Sequence, residues 1–194
     1  MVLRTALTQA LGITHPIISA PMAMVSGGLL AASVTAAGGL GLIGGSYCDL
    51  PWIKRELRKA GNTRVGVGLI TWKLAEKPQM LDHILEQAPA AILLSFGDPR
   101  PYIGRTKAAG VRVICQVQSM DGALLAADSG ADIIVAQGTE AGGHTGSRTT
   151  MTLVPATVDA VAPIPVLAAG GISDGRGLAA ALNLGASGVL VGTR

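Results

Sequence analysis

The longest polar run of the chain, AQGTEAGGHTGSRTT over 136–150, follows an apolar run and gathers Gln137, Glu140, Gly142, Gly143 and His144. An imidazole suits proton transfer near neutral pH. The two glycines before it leave room for a flat ligand to come close. The other reading of His144 is a solvated loop histidine. A second group of residues points to an anion. LAAGGISDGRG at 167–177 places Gly170 and Gly171 where backbone N–H groups can approach a phosphate, ahead of a helix expected from about Gly175. VGTR at 191–194 adds Gly192 and Thr193, an N–H and a hydroxyl. Either motif alone makes only a tight turn; the two together predict a phosphate site. No early strand leads into G-x-G-x-x-G, so a Rossmann dinucleotide site is not expected.

Three further features bear on a ligand. Ala20, Pro21 and Met22, within SAPMAMVSGG, form a stiff apolar turn on which an aromatic ring could rest, or which simply packs in the core. Gln116 ends an apolar run with an uncharged hydrogen-bonding group. His15, before Pro16, and His83, among charged neighbours, read as structural or solvated. Cys48 and Cys115 lie far apart, with no metal-ligand spacing and no evident partner base; Cys115 reads as a small core residue. No metal site is expected.

The elements that must hold these residues recur in alternation. Apolar runs at 17–19, 40–43, 65–69, 91–95, 111–116, 132–136, 165–168 and 188–191 predict eight strands. Stretches at 29–37, 51–60, 80–87, 102–109, 121–129, 154–161 and 176–184 read as helices, several bounded by Asp before and Gly after. The strands are continuously apolar rather than alternating, as in a parallel sheet covered on both faces. Eight such units at about 24 residues each predict a (β/α)8 TIM barrel, an α/β fold; an open doubly wound sheet is the runner-up. The candidate residues then fall after strands one, five, six, seven and eight, at the strand ends where barrels bind ligands. The sequence ends directly after the eighth strand. The expectation is therefore a single domain over 1–194 that is truncated there, with an apolar strand face left without a helix.

Composition narrows the function. The 194 residues are 49% hydrophobic and 14% charged, against disorder. A net charge of +3 from scattered Lys and Arg gives no basic stripe, so no nucleic-acid partner is expected. Residues 16–48 carry no charge, but Pro21 and three Gly-Gly pairs break them into pieces of about ten residues, too short to span a membrane. Two isolated cysteines and the lack of a signal-peptide pattern predict a cytoplasmic protein.

HPIISAPMA, GTEAGGHTG, and AAGGISDGRG followed by GVLVGTR, in that order along essentially the whole chain, resemble the nitronate monooxygenase (2-nitropropane dioxygenase) family and the related FMN-dependent enoyl-acyl-carrier-protein reductases. The resemblance implies an FMN-binding (β/α)8 barrel with a smaller substrate-covering region. It implies that Ala20, Pro21 and Met22 line the flavin ring, and that Gln116 lies at a polar or basic contact to the ring. Gly143 and His144 would stand over its reactive side, with His144 as the catalytic residue. Gly170, Gly171, Gly192 and Thr193 would hold the phosphate. Two positions depart from the pattern: Gly68 stands where relatives often have Asn, and Gln116 where some have Lys, so a full positive charge near the flavin is missing.

The implied reaction is oxidative denitrification of a nitroalkane or nitronate with dioxygen, His144 taking the α-proton of the neutral substrate, in a cytoplasmic homodimer. Enoyl-thioester reduction with a nicotinamide donor and a non-catalytic flavin- or phosphate-binding module are the alternatives. A dehydrogenase of the inosine-phosphate type is disfavoured because no Cys lies in the loop after strand six.

Overall fold

The computed structural model describes residues 3–45 and 47–193. In chain order the elements are α1 (Ala6–Leu11), β1 (Ile17–Ser19), α2 (Gly28–Ala36), β2 (Leu42–Gly44), α3 (Leu50–Ala60), β3 (Gly66–Ile70), α4 (Thr71–Leu74), α5 (Met80–Leu85) and β4 (Ala91–Ser95). They continue as α6 (Arg100–Ala108), β5 (Arg112–Val117), α7 (Met120–Asp128), β6 (Ile133–Gln137), α8 (Thr150–Val161), β7 (Val166–Ala169), α9 (Gly175–Asn183) and β8 (Gly188–Val191). The strands follow the order β1-β8-β7-β6-β5-β4-β3-β2, that of a (β/α)8 barrel, as expected. By contacts the chain forms two compact units, Ser19–Ile114 and Met1–Ile18 with Cys115–Arg194.

In the unit Ser19–Ile114, β2, β3 and β4 pair in parallel, with Ile43 opposite Val67 and Val67 opposite Ile92. β4 is buried along its whole length, which explains its unbroken apolar run. Asp49 caps α3 by accepting the Trp52 N–H at 3.0 Å, and Gly61 ends it at φ +61°. Gly27 has no side chain with which to cap α2. The buried carboxylate of Glu56, on α3, accepts the Gly28 N–H at 3.1 Å instead. A Cβ at Gly28 would overlap the Glu56 carbonyl, so glycine permits this close approach of the two helices.

In the other unit, β6 pairs with β7 and β7 with β8, Val135 opposite Leu167 and Ala168 opposite Val189. β8 departs from expectation. Val189 and Leu190 are buried, and fully buried Leu7 of α1 lies against the position a Gly188 side chain would take. The Val189 N–H donates to the Pro16 carbonyl at 3.0 Å. α1 was not expected because six residues carry too little periodicity to read; a reciprocal capping box between Thr5 and Thr8 starts it.

α8 also differs from the reading. It begins at Thr150, a turn before the expected 154, and runs through Pro155. The true start is held by a residue ten positions upstream, Glu140.

Candidate functional site

Strand β6 ends at buried Gln137, and the chain then turns sharply through Gly138. A Cβ at Gly138 would overlap the backbone N and Oγ1 of Thr150. This contact brings the start of α8 against the loop. The Glu140 carboxylate accepts from the Thr150 N–H at 2.8 Å and from its hydroxyl at 2.9 Å. The same hydroxyl lies 3.1 Å from the Gly170 carbonyl, so Thr150 joins the loops after β6 and β7. Burial pushes the Glu140 carboxyl up, but the hydrogen bonds from Thr150 and from its own N–H outweigh this and hold it below the usual carboxylate range. It is an anion seated on the positive end of α8.

Further along the loop, Gly142 comes next to Thr193, whose Oγ1 would lie 3.4 Å from a Cβ at 142. Gly143 follows at φ +80° with open space where a side chain would be. His144 is exposed. Gly170 and Gly171, at φ +114° and +71°, take left-handed conformations that side chains rarely adopt. A Cβ on Gly171 would lie 3.3 Å from that of Glu140. At α9, Asp174 accepts the Arg176 N–H at 2.9 Å and pairs with its guanidinium at 2.7 Å, so one N-terminal donor of this helix is already used.

Gln116 is half-buried at the end of β5. Its Nε2 donates to Gln137 Oε1 at 2.9 Å, Gln118 Nε2 donates to the same oxygen at 2.8 Å, and Gln137 Nε2 donates to the Gly142 carbonyl at 3.4 Å. Within this unit the structure therefore links Gln116, the Gly143–His144 loop, Gly170, Gly171 and Thr193 through short contacts. Gly192 directly precedes Thr193. Gln137 and Glu140 stood out in sequence only as members of the polar run over 136–150, and Gln118 and Thr150 were not singled out. Gln116 near the end of β5 and Gln137 at the end of β6 were the readable sign of their pairing.

The remaining candidates lie in the unit Ser19–Ile114. Ala20, Pro21 and Met22 are half-buried and form a turn fastened by fully buried Ser26. The Ser26 hydroxyl donates to the Ala20 carbonyl at 2.8 Å and accepts the Met22 N–H at 3.2 Å. The Pro21 ring covers Gly68 so closely that a Cβ there would overlap its Cβ and Cγ. Gly68 thus leaves the space that Pro21 fills. Met24, Cys48 and Phe96, each in a loop following a strand, adopt φ near +60° without being glycine. Burial pushes the Cys48 thiol up to about 11 despite Lys73 and Lys77, and the Cys115 thiol up to about 12. Neither suits a nucleophile at neutral pH. His15 is exposed, and His83 faces Glu86 at 3.6 Å on the surface of α5.

Among the described residues no group of three or more His, Cys, Asp or Glu could hold a metal ion, and no helix is long and apolar enough to cross a membrane. The glycine cradle fits a phosphate: left-handed backbone at Gly170 and Gly171, the Thr193 hydroxyl beside Gly142, and no side chain at Gly143.

A (β/α)8 barrel with a glycine cradle and a histidine loop after its later strands falls in the class of ligand-binding barrels whose chemistry lies at the strand C-termini. The nitronate monooxygenase family model matches residues 61–194, and the chain belongs to that family. It is 39% identical to (3aS,4S,5R,7aS)-5-hydroxy-7a-methyl-1-oxo-octahydro-1H-indene-4-carboxyl-CoA dehydrogenase of Rhodococcus jostii, over 99% of this chain and 55% of the relative. A probable nitronate monooxygenase of Staphylococcus aureus is 36% identical, over 98% of this chain and 67% of the relative. Among solved structures, FabK from Thermotoga maritima superposes with a TM-score of 0.89 at 40% identity, covering 99% of this chain and 62% of that one. Nitroalkane oxidase from Streptomyces ansochromogenes gives 0.85 at 28% identity, covering 97% and 67%. The chain spans little more than half the length of the CoA dehydrogenases it matches. A dehydrogenase, a monooxygenase and an oxidase are all oxidoreductases, and the family is an enzyme family of that kind.

Proposed function

We propose that this chain provides the FMN seat and the proton-handling histidine of a flavin-dependent oxidoreductase that oxidises nitroalkanes or their nitronates. One observation supports this most directly. Thr150 and Glu140 draw the histidine loop against Gly170 and Gly171, so a group that moves protons and a cradle for a phosphate are built as one piece. Gly170, Gly171, Gly192 and Thr193 hold the phosphate through N–H groups and a hydroxyl. Gln116 meets the polar edge of the ring. Ala20, Pro21 and Met22 offer their apolar turn to it. Gly143 leaves the space that lets His144 come close to the substrate. Bound FMN would supply the electron-accepting chemistry that links the substrate to dioxygen. His144 takes the α-proton of a neutral nitroalkane at an imidazole nitrogen and holds it away from the carbon. The same reading carries a homodimer and a cytoplasmic location.

A second reading is oxidation or reduction of a thioester substrate with a nicotinamide partner. It is supported by two relatives, 39% and 38% identical, whose names place their chemistry on a carboxyl-CoA. Anaerobic mixing separates the two. The nitronate reading expects the flavin absorbance to bleach with a nitronate and not with NADH; bleaching by NADH, reversed by an enoyl thioester and without nitrite release, favours the second. A flavin that neither compound bleaches supports a non-catalytic binding module. His144→Ala is expected to keep its flavin and lose most turnover with neutral nitroalkanes; unchanged turnover removes His144 from the mechanism.

A further inference from the structure

We propose that Gln137 is a positioning residue that sets which polar atom Gln116 offers to a ligand. A glutamine amide has a donor end and an acceptor end, and either can face a neighbour. Here one fixed group removes the choice. The Gly142 carbonyl can only accept, so Gln137 turns its NH2 toward it, at 3.4 Å. Gln137 Oε1 therefore points the other way and must receive donors. Nε2 of Gln116 at 2.9 Å and Nε2 of Gln118 at 2.8 Å supply them. Reversing Gln137 alone would set carbonyl against carbonyl at Gly142 and NH2 against NH2 at Gln116 and Gln118. Reversing all three would still leave the clash at Gly142. Gln137 is only 5% exposed, so water cannot readily repair either arrangement.

The polarity thus runs from a backbone carbonyl of the histidine loop, through Gln137, to Gln116 at the end of β5. Gln116 commits its NH2 inward and presents Oε1, an uncharged acceptor suited to a ring N–H. A lysine at 116 would present the opposite polarity and a positive charge. The same relay ties Gly142, next to Gly143 and His144, to the residue at the ring's edge. What Gln116 meets rests on the flavin reading above; the direction of its amide does not.

The test has two parts. In the protein freed of flavin, the Gln116 side-chain amide is followed by 15N NMR, its resonance assigned by its loss in Gln116→Leu. Its proton exchange is expected to speed up about tenfold in Gln137→Leu, as a buried hydrogen bond is lost. Gln137→Glu, which still accepts from Gln116 but lacks the NH2 that meets Gly142, should protect the Gln116 amide more than Gln137→Leu does. With FMN added, Gln137→Leu is expected to raise the dissociation constant about tenfold. Gln116→Leu in that background should add little, because the two act as one unit. Unchanged exchange in Gln137→Leu, exchange in Gln137→Glu as fast as in Gln137→Leu, or fully additive effects on FMN affinity would overturn the proposal. If the exchange pattern holds but no variant or wild type binds flavin, the amide placement stands and the cofactor reading falls.

Discussion

Replacing Thr150 with Val removes one hydroxyl and keeps the backbone N–H and the shape. That hydroxyl lies 2.9 Å from the Glu140 carboxylate and 3.1 Å from the Gly170 carbonyl, in a residue that is 8% exposed. A hydrogen bond to a charged group contributes about 1.5–3 kcal/mol. Glu140 is itself exposed, so solvent screening lowers this to roughly 1.5 kcal/mol. In a protein of this size that corresponds to a fall in melting temperature of roughly 3–6 °C. Thr150→Ser keeps the hydroxyl and should recover most of the loss. The charge on Glu140 gives the effect a pH dependence of known sign. Its carboxyl titrates below the ordinary range when folded, so its contribution is complete above the unfolded value of about 4.3 and is lost as pH falls through the folded value. The gap between wild type and Thr150→Val should therefore narrow in acid. Thermal unfolding followed by circular dichroism at pH 7 and below pH 4 measures both. Equal melting temperatures at pH 7, or a gap that widens in acid, would refute the view that this brace holds the histidine loop.

Gly68→Ala should cost roughly 1–3 kcal/mol in urea unfolding, because its new methyl overlaps the stiff Pro21 ring. A neutral result would mean that the 20–22 turn is not packed on β3. Cys48 and Cys115, with thiols pushed up to about 11 and about 12, should resist a thiol reagent at pH 8 in the native protein and react once it is unfolded; fast native labelling of either would contradict its burial. Glu56→Gln should lower the melting temperature more than Glu86→Gln, since Glu56 is buried and caps α2 while Glu86 is on the surface.

The strands were legible because both of their faces are buried. β1, β4 and β8 fall where their apolar runs put them, and the others shift by at most two residues. Helices with local end chemistry were legible too: Asp49 and Asp174 cap α3 and α9 as their positions suggest. Helices capped from a distance were harder to read. The first N–H of α2 is met by Glu56, 28 residues downstream, and that of α8 by Glu140, ten upstream. Thus α8 was read a turn short. The site shows the same division. His144 and the paired glycines stand out by type and spacing, whereas Gln137 and Thr150 matter through contacts made after folding. Both lie in the polar run over 136–150, but a glutamine or threonine in sequence carries no mark of being buried.

The central claim is that Gly170, Gly171, Gly192 and Thr193 seat the phosphate of a flavin, and paired titrations of FMN and riboflavin test it most directly. Gly171→Val forces a β-branched residue into φ +71° and brings a side chain toward Glu140. The protein is expected to bind FMN far more tightly than riboflavin, and Gly171→Val to weaken FMN at least tenfold while changing riboflavin little, about the loss of one charge-assisted hydrogen bond. Equal affinity for the two flavins, or the same loss for both in the variant, would contradict it.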